Sequence, residues 1–136
     1  MEPDMSVLLI IAASAASPGA IFGRWNTPGN KAVVEIAPCG KQVCGTIISA
    51  APLPKTGQPP RDSRNPDPAL RNRQMAGVQI LSGLSQAGDR WKGGTIYNPT
   101  NGKTYASELT LAADGQLKVS GCVMIFCQTQ IWRRSK

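Results

Sequence analysis

The chain has 136 residues, with 15 Lys and Arg against 8 Asp and Glu and a formal charge of +7. One domain with its own core fits that length, and 14 Gly and 11 Pro with 41% apolar and only 17% charged residues favour an all-β domain over a helical or disordered one. Histidine is absent, which excludes imidazole-dependent hydrolysis and removes the commonest metal ligand.

Val7 to Ala16 is an apolar run followed by a Ser17-Pro18-Gly19 break. It reads as the core of a signal peptide occupying about residues 1–20, with cleavage near Ala15 or Ala16, and is too short to span a bilayer. Met1 to Asp4 is acidic where such a leader begins basic, which places the start site in question. Export leaves a single domain over residues 21–136, in the periplasm or secreted. Loss of Glu2 and Asp4 raises its surplus of positive charge to about +9, a surface that favours anionic partners such as phospholipid, lipopolysaccharide, acidic glycan or nucleic acid.

The exported part divides into short strand-like runs separated by turn formers. Phe22 to Asn26, Lys31 to Ala37, Val43 to Ser49, Met75 to Leu81, Arg90 to Tyr97, Lys103 to Leu111, Gln116 to Cys122 and Gln128 to Arg134 read as eight strands. Alternation is clearest in Tyr105, Ser107, Leu109 and Leu111 and continues through Leu117 and Val119, with Thr104, Glu108 and Thr110 on the other face. Pro28-Gly29-Asn30, Thr100-Asn101-Gly102 and Asp114-Gly115 supply turns between antiparallel neighbours. An eight-stranded up-and-down barrel follows. Closing it brings the first strand beside the last, so Arg134 can lie over Trp25 as a clasp with Gly23 and Trp132. The inward set includes Val34, Ile36, Trp91, Tyr105, Leu109 and Val119; an interior of eight strands is either filled by side chains or holds one small ligand.

One connection is long. Ala50 to Gln74 carries six prolines and no strand pattern, and a loop of that length in a compact domain reads as an ordered lid. Within it Asn65-Pro66-Asp67 starts a short helix running to about Arg71, with Asn65 as N-cap and Asp67 favourable to the dipole. Asp62, Asn65 and Asp67 lack the glycine and closing Glu of a calcium loop; no metal or cofactor is expected.

The four cysteines fall as Cys39 and Cys44, then Cys122 and Cys127. In an exported chain they read as disulfides with three possible connectivities. Alternating connections put the turn between strands two and three at one end of the barrel and the turn between seven and eight at the other. A strand of eight residues separates those ends by roughly 27 Å, too far for a disulfide, so Cys39 pairs with Cys44 and Cys122 with Cys127. The second pair closes the apolar tip Val123-Met124-Ile125-Phe126, which either plugs its end of the barrel or forms a ligand gate, membrane contact or dimer surface.

Gly23-x-Trp25, the Cys39-Gly40 to Cys44-Gly45 hairpin, Asp62-x-x-Asn65-Pro66-Asp67 leading to Arg71-x-Arg73 and Gly77, Trp91-x-Gly93-Gly94-x-Ile96-Tyr97-x-Pro99, Gly102-Lys103-x-Tyr105, and Gly121-Cys122 through Gln130-x-Trp132-x-Arg134 together resemble the domain of unknown function 2147 family of small exported bacterial proteins. The resemblance spans about Phe22 to Arg134. It implies a lipocalin-like or calycin-like barrel in the bacterial envelope and implies no activity.

The functional expectation is a periplasmic barrel that binds a small, partly apolar, anionic molecule at the lid end. Arg61, Arg64, Arg71 and Arg73 would attract its charged end, and Tyr105, Met124 and Phe126 would cover the rest. The alternative is an interaction module with a filled barrel that docks on an envelope protein or an anionic membrane surface. No two of the Tyr, Asp and Lys residues form a recognisable catalytic arrangement, so no enzyme is expected. No nucleic-acid motif appears among the seven aromatics, and the strands are too short and polar outside for a membrane-spanning barrel.

Overall fold

Eight antiparallel strands close on themselves in chain order: β1 (Gly23–Asn26), β2 (Ala32–Cys39), β3 (Gln42–Ala50), β4 (Gln79–Ala87), β5 (Arg90–Asn98), β6 (Lys103–Leu111), β7 (Leu117–Val123) and β8 (Phe126–Arg134). This computed structural model describes residues 17–136; the apolar run assigned above to a leader lies outside the described residues. Among the described residues no helix is long and apolar enough to cross a membrane.

The pleat decides what lies inside. In β6 and β7 the alternating residues Ser107, Leu109, Leu117 and Val119 are buried while Thr104 and Lys118 are exposed. Pairing of Leu109 with Val119 and Leu111 with Leu117 puts both apolar sets on one face. Trp25, Trp91 and Trp132 are buried with Leu81, Leu84, Leu109 and Leu117. Each such leucine contributes about 1.5–3 kcal/mol of burial free energy. Trp91 buries its ring as completely as Trp25 does, at the cost of an indole N–H that has no partner among the described residues.

β1 is short because Pro28 follows it and has no N–H to extend the ladder. It meets β8 only at Trp25 opposite Arg134 and Asn26 opposite Arg133. The clasp lies at this seam. The Arg134 guanidinium sits 4.1 Å from the centre of the Trp25 ring, and donates to the carbonyls of Phe22 at 2.7 Å and Ala20 at 2.6 Å. Trp25 Nε1 donates to the Ile21 carbonyl at 3.0 Å, so one arginine and one tryptophan fasten the entering chain, with Ile21 buried beneath it. Gly23 is needed here. Its φ is 120°, and a Cβ would lie 3.1 Å from the guanidinium. Trp132 stands apart, inside the barrel, donating to Gln130 Oε1 at 3.0 Å. Arg134→Ala, which removes the ring contact and two charge-assisted hydrogen bonds, is expected to lower the unfolding free energy by about 2–3 kcal/mol, measured by urea denaturation.

Both disulfides close their own hairpins, Cys39–Cys44 with α-carbons 5.7 Å apart and Cys122–Cys127 at 4.1 Å. Two expectations need correction. The fourth strand is Gln79–Ala87, not Met75 to Leu81, because Met75 and Val78 are buried as anchors of the β3–β4 connection rather than as strand residues. The short helix is a single 3-10 turn, Pro68–Leu70, and its cap is Asp67, whose Oδ1 accepts from the Ala69 N–H at 3.0 Å. Asn65 instead folds onto its own chain, accepting from the Asp67 N–H at 2.8 Å.

Candidate functional site

Alternating connections place residues 27–31, 51–78, 99–102 and 124–125 at one end of the barrel. A cavity of about 960 Å³ opens there. A second of about 530 Å³ lies under the β3–β4 connection, and the two share Lys31, Ala32, Ile47, Pro99 and Thr100 in their walls. The barrel is hollow towards this end. Gly121 lies in the wall of the larger cavity, and a Cβ there would meet only Ile96 and Tyr105 at ordinary contact distance. In the other half the packing is tight, since a Cβ on Gly45 would stand 2.9 Å from Leu81.

The wall mixes two chemistries. Ile47, Ile80, Ile96, Val119 and Trp132 are its apolar part; Tyr105, opposite Ile96, and Gln130, opposite Val119, bring polarity among them, with Lys31. The hydrogen-bond directions of those polar groups are fixed by their neighbours. Trp132 Nε1 can only donate, so the Gln130 amide oxygen faces it and the amide NH2 is left to point elsewhere. Asn101 uses its oxygen on the Lys103 N–H and its NH2 on the Tyr105 hydroxyl at 2.7 Å. Tyr105 accepts there and keeps its proton for another partner. With the Lys31 ammonium, these groups offer donors. The cavity matches an apolar body carrying acceptors or negative charge.

Beside the mouth, a buried carboxylate pins the β3–β4 connection to the barrel. Asp62 is fully buried. It accepts from the Tyr97 hydroxyl at 2.6 Å, Asn65 Nδ2 at 2.8 Å and Arg73 Nε at 3.0 Å, and Arg73 completes a two-pronged ion pair at 2.9 Å. Burial alone would raise the Asp62 pKa. The donors from Tyr97, Asn65 and Arg73, with the arginine's charge, outweigh it and hold the carboxyl below its ordinary value. Tyr97 is pushed up to about 12, first by burial and then by its hydrogen bond to the carboxylate and that group's charge. At neutral pH the carboxylate is ionised and the phenol protonated, so the cluster holds structure.

The arginines singled out in the sequence divide. Arg61 and Arg64 line the smaller cavity. Arg71 donates to the Asn65 carbonyl at 2.7 Å, and Arg73 holds Asp62. Tyr105 and Phe126 line the larger cavity, and Met124 points into solvent at 92% exposure. Val123, Ile125 and Phe126 are also exposed, so the tip is no plug. Sequence reasoning missed Lys31, Gln130 and Tyr97. Lys31 was placed inside a strand, and Tyr97 lies 35 residues from Asp62, a separation at which no local pattern couples them.

A profile described as uncharacterised protein conserved in bacteria (DUF2147) matches residues 23–134. No curated protein matches the chain. Among solved structures the chain is similar to protein HP1028 from Helicobacter pylori, described as belonging to the lipocalin family, with 28% identity over 85% of this chain and 83% of that one and a TM-score of 0.73.

Proposed function

The chain belongs to the DUF2147 family of bacterial proteins, and we propose that this member is an exported carrier or sensor that binds one small molecule with an apolar body and an anionic end. The observation that carries this reading is the cavity of about 960 Å³ with donors in an apolar wall, within the size of small-molecule sites, which run up to about 1,000 Å³. The lipocalin-like barrel supports it. Two disulfides support an oxidising compartment such as the periplasm. Lys31, which lines both cavities, would meet the anionic end, with Arg64 in the wall of the smaller one; Arg71 and Arg73 serve the β3–β4 connection instead. An interaction module with a filled barrel has less support, because the interior is not filled.

The test is titration with anilinonaphthalene sulfonate, an apolar anion whose emission rises in dry sites. Saturable binding of one molecule per chain, with energy transfer from tryptophan and displacement by a long-chain carboxylate, is expected. Lys31→Glu should weaken it about tenfold. No saturable binding, with no small molecule retained in native mass spectrometry, would sink the reading.

A further inference from the structure

The β7–β8 hairpin ends in an apolar tip that the fold does not cover. Val123, Met124, Ile125 and Phe126 are 53%, 92%, 85% and 75% exposed, and the Cys122–Cys127 disulfide lies directly behind them. Leu53, 44% exposed, lies in the β3–β4 connection at the same end. Soluble domains rarely expose contiguous apolar side chains in this way.

The backbone makes the choice of residue more pointed. Val123 pairs with Phe126, so Met124 and Ile125 form a two-residue turn. Met124 has φ of 55°, and Asn30 is the only other non-glycine residue with positive φ among the described residues. Gly, Asn or Asp would occupy that position with less strain. A long apolar side chain therefore sits where both solvation and backbone geometry favour a small or polar one. Strain of this kind concentrates at sites of function.

Charge indicates what the tip meets. The connections at this end carry Lys31, Lys55, Arg61 and Arg64, and Lys103 opens β6 beside them; none is in an ion pair among the described residues. The acids in those connections are Asp62, neutralised by Arg73, and Asp67, which caps its 3-10 turn. Apolar residues projecting from a ring of cations suit one surface, the headgroup region of an anionic bilayer. There the apolar side chains enter the acyl boundary while lysine and arginine meet phosphate. We infer that the open end of this barrel docks reversibly on anionic phospholipid membranes through the Val123-Met124-Ile125-Phe126 tip, with the basic connections around it holding the headgroups. Docked this way, the cavity mouth, of which Ile125 and Phe126 are part, faces the lipid.

The test is flotation of the purified, disulfide-intact protein with phosphatidylcholine vesicles, with and without phosphatidylglycerol. Binding is expected only when the anionic lipid is present, weakening as salt rises. Met124→Asp is the decisive variant. Aspartate tolerates positive φ, so the hairpin is kept, and Met124 lies outside the cavity wall. Vesicle binding should fall about tenfold as a polar, like-charged tip meets the membrane, while anilinonaphthalene sulfonate binding is unchanged. Lys55→Glu with Lys103→Glu should weaken binding by a similar factor without moving the melting temperature. Equal partition to neutral vesicles, no binding to either, or undiminished binding by Met124→Asp each overturns the inference. A dimer in light scattering that dissociates on Met124→Asp, without vesicle binding, assigns the tip to a second copy of the chain instead.

Discussion

Alanine at position 62 is expected to release the β3–β4 connection from the barrel and to cost about 2–4 kcal/mol, mostly from the polar groups that lose their acceptor, since the Arg73 side chain left behind is 39% exposed and regains water. Asp62 joins Tyr97 on β5 to Asn65 and Arg73 within the connection. Its loss leaves a phenol and an amide unpaired under partial burial, and a guanidinium without its carboxylate. Tryptic cleavage after Arg61, Arg64, Arg71 and Arg73 should become rapid while the strands stay protected, because the connection can open as a local unit. Cleavage as slow as in the wild type would mean that Met75 and Val78, buried at the connection's far end, hold it without the carboxylate.

The same cluster sets a pH window. Asp62 has a folded pKa below its ordinary value of 3.8, so its contribution to stability is complete above that value and is lost as pH falls through the lower, folded one. Tyr97 is displaced the other way, from 10.0 to about 12. Its contribution is complete below pH 10 and disappears as pH rises towards 12. Proteolytic opening of the connection should therefore be least across the middle of the range and increase at both extremes. Asp62→Asn should flatten the acid limb and Tyr97→Phe the alkaline one.

Local physics made the barrel legible. Alternation in Tyr105 to Val119 defines two strands and their common face because a pleat of period 2 leaves no other way to bury that apolar set. The disulfide pairing followed from the alternation of connections between the barrel's ends and the length of a strand between them. What failed was local resemblance without local cause: Met75 and Val78 look like strand residues because they are apolar, yet they are buried as anchors of an irregular segment, and the apolar pattern of β4 is broken by Ser82, Gly83 and Ser85 although the strand runs through them. Asn65 looked like a helix cap and does accept from the Asp67 N–H as a cap would, but the 3-10 turn starts only at Pro68 and is capped by Asp67. The site was harder to read. Lys31, Gln130 and Tyr105 line one cavity only because strands distant in sequence close into a ring, and part of that hollow comes from the absence of a side chain at Gly121.

That absence can be reversed. Gly121→Phe is expected to abolish saturable binding of anilinonaphthalene sulfonate, reducing affinity by well over tenfold, while leaving the fold intact or more stable. The position is in β7, paired with Ser107 and Gln128, where phenylalanine suits a strand better than glycine does. A Cβ there has Ile96 at 3.4 Å and Tyr105 at 3.5 Å, so the ring would extend from the wall into space a ligand would occupy. Filling a void typically adds about 0.5–2 kcal/mol, whereas inserting the same ring into a packed interior costs about 1–3 kcal/mol. The sign of the shift in melting temperature thus reports whether the barrel is hollow, and the titration reports whether the hollow is the binding site. A more stable variant that still binds the probe would place the ligand elsewhere, with the smaller cavity beneath Arg61 and Arg64 next in order. A destabilised variant would show that the barrel contracts around Gly121 in solution, which would remove the structural basis for a carrier.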